Sequence, residues 1–177
     1  MDTPKKEYSA EELENRYNDI TALYDYAEEL VSTVESQFVQ DPEAQMSIVE
    51  PLINEVSEAA DLLGEEFILI AESQKGKPGM ASKPRIEGAL RKIYLAIGDY
   101  QKRVGKVSKK AQGTLKNIAD PIVAKIQRQV EKIVAVFLEF VQISLYNVMN
   151  KAEVEALRVR DTRIAMMMHQ QAMSQQQ

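Results

Sequence analysis

The sequence predicts an all-α protein: an up-and-down antiparallel four-helix bundle with coiled-coil-like packing and a long C-terminal helix extending beyond the bundle. Three observations predict it. Apolar residues recur at alternating steps of four and three, the spacing that lines up one face of a helix packed on other helices. Glycine and proline number only 7 and 6 in 177 residues, about 7% where roughly 12% is usual, too few turn residues for a many-stranded sheet. Two of those prolines, Pro42 and Pro121, stand where a helix begins, directly after a capping aspartate.

The first helix starts at Ser9, whose S-x-x-E spacing to Glu12 is that of a capping box, with Tyr8 placed to staple onto Leu13. Its seam runs Leu13, Tyr17, Ile20, Tyr24, Ala27, Val31, Val34 and Phe38. Asp41 followed by Pro42 opens the second helix, with the seam Val49, Leu52, Val56, Ala59, Leu63, Phe67 and Ile70. Pro51 predicts a kink or a late start there, because proline removes a helical hydrogen bond. Residues 74–83, with Gly76, Pro78 and Gly79, read as a loop. The third seam is Ile86, Leu90, Ile93, Ile97, Tyr100, Val104, Val107 and Ala111, and Gly98 and Gly105 lie on that helix seven residues apart. Asp120 and Pro121 repeat the capping signal, and no helix breaker follows, which predicts a continuous fourth helix of about fifty residues, roughly 75 Å long. The expected organisation is a tail at 1–8, a bundle domain at 9–150 with helices at about 10–38, 42–73, 84–113 and 121–150, a helical extension at 151–173, and a glutamine-rich tail at 174–177.

Much chemistry is excluded by what is missing. There is no cysteine and one histidine, so no disulfide, no cysteine-based metal or redox site, and no di-iron pattern of paired Glu-x-x-His is available. His169 stands in the glutamine-rich end. The loop around Lys77 lacks the glycine order that wraps phosphate. Carboxylates lie mostly opposite the apolar seams, as a solvated face requires. The expectation is a protein that is not an enzyme and holds no cofactor and no metal.

Charge is unevenly spread. Residues 1–73 carry a net −16 and residues 74–177 a net +11, which together give the overall −5. Lys102, Arg103, Lys106, Lys109, Lys110 and Lys116 follow one another with no acid between Tyr100 and Ala119. This patch reads either as a complement to the acidic first two helices within the fold, or as a site for an anionic partner, foremost an acidic protein surface. A pI near 5.1 and the lack of interleaved aromatics count against nucleic acid.

Residues 133–149 are apolar nearly all round, interrupted by Glu139, Gln142 and Asn147. Such a helix must be covered on most faces, by the bundle or by a second molecule. It is too short and interrupted for a membrane span, leaving only peripheral contact with a membrane. Beyond it, Val154, Leu157, Val159, Ile164, Met166 and Met168 offer apolar contacts, and Arg158, Arg160 and Arg163 set orientation by charge. Met1–Glu7 is polar with no apolar run, which predicts a cytoplasmic protein.

The expected function is a non-enzymatic interaction module: a cytosolic adaptor or assembly subunit that forms a homo-oligomer or docks a protein partner through its last helix. The small acidic helical character is similar to that of bacterial export chaperones and of phasins that coat storage granules. The first likeness implies capture of a client's amphipathic segment beside residues 133–149; the second implies peripheral binding to a hydrophobic or anionic surface. No motif carries site residues over from either.

Overall fold

A computed structural model describes residues 8–37, 42–74 and 80–149. Helix takes 89% of them, and there is no strand among the described residues. Six helices follow in order: α1 (Ala10–Gln37), α2 (Pro42–Gln74), α3 (Lys83–Gly105), α4 (Lys109–Ile118), α5 (Asp120–Phe140) and α6 (Leu145–Val148).

Cross-helix pairings give the directions. Tyr24 meets Asp61 and Tyr17 meets Phe67, so α1 and α2 run antiparallel. Arg85 meets Glu66 and Arg103 meets Ile48, so α2 and α3 do too. Lys125 meets Glu29 and Arg16 meets Glu139, which sets α5 antiparallel to α1. The seams face inward. All seven α2 seam residues are buried, as are Ile86, Leu90, Ile93, Ile97, Tyr100 and Val104 on α3. On α1, Leu23 and Leu30 are buried beside the seam, while Tyr17 and Tyr24 are half-buried at its edge.

The helix starts are held by side chains. Ser9 Oγ accepts the Glu12 N–H at 3.1 Å. Tyr8 packs against the core and sets its ring against Phe140 with centroids 5.1 Å apart. The late start does not occur, because α2 is already under way at Pro51, which lies on its exposed side. Ser82 caps α3, its Oγ accepting the Arg85 N–H. Glu66, 1% exposed on α2, accepts the Ser82 N–H at 2.7 Å and Arg85 Nη1 at 2.8 Å.

Two expected helices are shorter than the sequence suggests. The third was expected to reach about residue 113, but α3 stops at Gly105 and a new helix begins at Lys109. Gly105 is a poor helix former, Ser108 Oγ caps α4 through the Ala111 N–H, and Gln112 Nε2 donates to the carbonyls of Gly105 and Val107 that the break sets free. The fourth was expected to run unbroken from Pro121 to beyond residue 150 and overhang the bundle. It ends at Phe140 after 21 residues, and Val141 is extended. The chain then turns and packs α6 on α3. Glu87 makes the turn possible: its carboxylate accepts the Ser144 N–H at 2.6 Å and Asn147 Nδ2 at 3.0 Å. Breaking the helix lets Ile143 and Val148 be buried, at 8% and 1% exposure, where a continuous helix would have carried them past its neighbours.

Asp120 is not the cap of α5; Ala119 occupies that place and offers no side-chain bond. Its carboxylate instead accepts the Tyr100 hydroxyl at 3.0 Å. Burial, then the Asp120 charge, raises the Tyr100 pKa above its ordinary value of 10, and burial with Asp61 does the same to Tyr24. The unfolded chain therefore loses these two protons at lower pH than the folded protein does. Stability from this source is whole below pH 10 and falls as the pH rises above it. The urea midpoint is expected to drop above pH 10, and to drop less in the double variant Tyr24→Phe/Tyr100→Phe.

Candidate interaction surfaces

Part of the charge asymmetry is met within the fold. Lys125 pairs with Glu29 at 2.9 Å, Lys132 with Asp19 at 3.9 Å, and Arg85 with Glu66 and with Glu65 at 3.4 Å. None of these cations belongs to the expected basic patch.

The patch itself forms an elbow between α3 and α4. Lys102 stands in the last turn of α3, Lys106 in the bend, Lys109 and Lys110 in the first turn of α4, and Lys116 two turns beyond Lys109. All five are exposed, and among the described residues none has an ion-pair partner. Lys102 lies at the negative end of a helix dipole, where a cation is favourable. Lys109 and Lys110 lie at a positive end with no acid in the turn, a local cost of about 0.3–1 kcal/mol each that an anion would relieve. The elbow is held in place by Gln112 and Ser108.

Arg103 departs from the expected patch. It is half-buried, and its Nε donates to the Ile48 carbonyl at 3.0 Å, tying α3 to the start of α2. Its role is structural, and its Nη2 is buried with no hydrogen-bond partner among the described residues.

Beside Arg103 the outer faces of α2 and α3 enclose an open groove of about 520 Å³. Glu50, Glu55 and Glu58 line it from α2 and Asp99 from α3, with Pro51 and Ala96 as apolar wall. None of the four carboxylates has an ion-pair partner among the described residues. Sequence reading places these acids on a solvated face and misses the groove, because it arises from the facing of two helices. Their recurrence on one side of α2 was the available signal.

The remaining expected contacts, Val154, Leu157, Arg158, Val159, Arg160, Arg163, Ile164, Met166 and Met168, lie outside the described residues. The apolar stretch that argued for a second molecule is largely covered by the chain itself: Ile133, Val134, Val136, Phe137, Ile143 and Val148 are buried. Leu138 on α5 and the adjacent Leu145 and Tyr146 on α6 stay exposed. Among the described residues no helix is long and apolar enough to cross a membrane, and no group of three or more His, Cys, Asp or Glu is placed to hold a metal ion. Comparison with protein-family models, with curated proteins and with solved structures finds no match to this chain.

Proposed function

We propose that this chain is a non-enzymatic cytosolic interaction module, an up-and-down four-helix bundle with α4 and α5 together as its fourth arm, which docks an acidic protein partner on the lysine elbow. One observation carries the reading. Arg85, Lys125 and Lys132 find carboxylates within the fold, while Lys102, Lys106, Lys109, Lys110 and Lys116 stay exposed and unpaired on a braced bend. An anionic surface there gains attraction from several charges at once and meets the positive end of α4. Docking through the last helix draws less support, because the fold-back covers much of the stretch that called for a partner.

The test is a titration with fluorescent poly-glutamate, with single-stranded DNA as comparison. Binding of poly-glutamate is expected to weaken steeply from low to physiological salt, and to weaken about tenfold or more, some 1.4 kcal/mol, in Lys106→Glu/Lys109→Glu. A variant that binds as tightly as the native chain overturns the proposal, and tighter binding of DNA than of poly-glutamate points to nucleic acid in its place.

A further inference from the structure

One hydroxyl stands inside the lysine elbow. Ser108 is exposed on the bend between α3 and α4, outside both helices. Its Oγ accepts the Ala111 N–H at 3.3 Å, while its own proton goes to no acceptor among the described residues. The hydroxyl is therefore open to a reaction partner. Lys106 lies two residues before it, Lys109 and Lys110 follow it directly, and no acid occurs between Tyr100 and Ala119. The other described serine and threonine hydroxyls of the basic half are placed differently. Ser82 and Ser144 are half-buried, and the N–H of each is bound to a carboxylate, Glu66 and Glu87, that repels a phosphate. Thr114 is half-buried within α4, and its Oγ1 donates to the Lys110 carbonyl at 3.1 Å.

We infer that Ser108 is a phosphorylation site for a serine kinase that selects basic substrates, and that its phosphate closes the elbow to an acidic partner. The closing role rests on the reading of the elbow proposed above; the site itself rests on the exposed hydroxyl and the cations on both sides of it, the kind of charge pattern by which kinases choose substrates. In the transfer, Ser108 Oγ bonds to the γ-phosphorus of ATP and the bond from that phosphorus to the bridging β–γ oxygen breaks. ADP leaves, and the hydroxyl proton passes to the kinase's catalytic aspartate. The product carries about two negative charges and three strong acceptor oxygens. They fall at the positive end of α4, beside Lys109 and Lys110, where negative charge is favourable. The five exposed lysines and the phosphate then sum to about +3. The helix end that an acidic partner would meet is filled.

The test incubates the full chain with ATP and the catalytic domain of a kinase that prefers lysine and arginine beside serine, and mass spectrometry locates the phosphate. Modification of Ser108 is expected, and its loss in Ser108→Ala. Phosphate on Ser82 or Thr114 in its place, or an unmodified chain, overturns the inference. In the modified chain, phosphorus NMR is expected to place the second phosphate pKa at least about half a unit below its ordinary value near 6, and to return it towards that value in high salt. A phosphate that titrates as a free one overturns the inference as well. Poly-glutamate is expected to bind the modified chain at least about fivefold more weakly than the native chain at low salt, and equal binding overturns the closing role. Failure of the native chain to bind poly-glutamate overturns the dock, and the location and titration of the phosphate still decide the site.

Discussion

Phe67→Ala is expected to destabilise the protein by about 3–5 kcal/mol, the usual range for removing a buried phenylalanine. Phe67 is 2% exposed and sits among aromatic rings from two other helices. Tyr17 of α1 lies at 6.0 Å, and Phe137 and Phe140 of α5 meet it edge-on at 6.4 and 5.7 Å. Edge-to-face pairs add about 0.5–1.5 kcal/mol each beyond the area they bury. Truncation therefore leaves a cavity where three helices converge, and it also releases Phe140, on which Tyr8 packs. Urea unfolding measures the loss as a lower midpoint. A cost under about 1 kcal/mol would mean that the site collapses on itself and that the rings do not form a rigid hub.

Glu66→Ala is expected to cost about 2–3 kcal/mol, in contrast to Glu65→Ala one residue away, where the loss stays within about 1 kcal/mol. The two carboxylates share Arg85 but differ in burial: the Glu66 side chain is 1% exposed and that of Glu65 66%. Removing Glu66 leaves the Ser82 N–H without its acceptor at the start of α3, and bonds to a charged acceptor are worth about 1.5–3 kcal/mol. Arg85 is half exposed and returns to water, which keeps the loss below that of a fully buried pair. Equal effects of the two variants on the urea midpoint would show that the capping bond carries no weight. Glu87 repeats the device one helix later, taking the N–H of Ser144 as Glu66 takes that of Ser82.

The helical class and the buried faces were legible in the sequence because both follow from spacing. Val49 to Ile70 and Ile86 to Val104 each keep one face of a helix, and a face that is apolar throughout has one outcome, burial. The breaks at 105–109 and 140–145 were not legible, because what makes them affordable is distant. Gln112 reaches back seven residues to the Gly105 carbonyl, and Glu87 meets Ser144 across 57. Val141 and Ile143 are weak helix formers, but only the docking of α6 on α3 gives them a better place than a continued helix. The basic patch was legible as a run of residues and not as a surface. Six cations look alike in sequence, and only packing separates Arg103, committed to Ile48, from the five lysines left to solvent. The groove is a product of two helices lying side by side, so no stretch of sequence contains it.

The meeting of Tyr8 with Phe140 and Glu139 has a kinetic side. These residues are 132 and 131 positions apart, and the contacts of α1 with α5 are the most distant in sequence that hold the arms together. The α1–α2 and α2–α3 hairpins are joined locally and need little loop closure to form, whereas the α1–α5 seam closes only after most of the chain is in place. Contacts made that late are weak at the folding barrier and strong in the native state. They therefore govern how fast the molecule comes apart more than how fast it assembles.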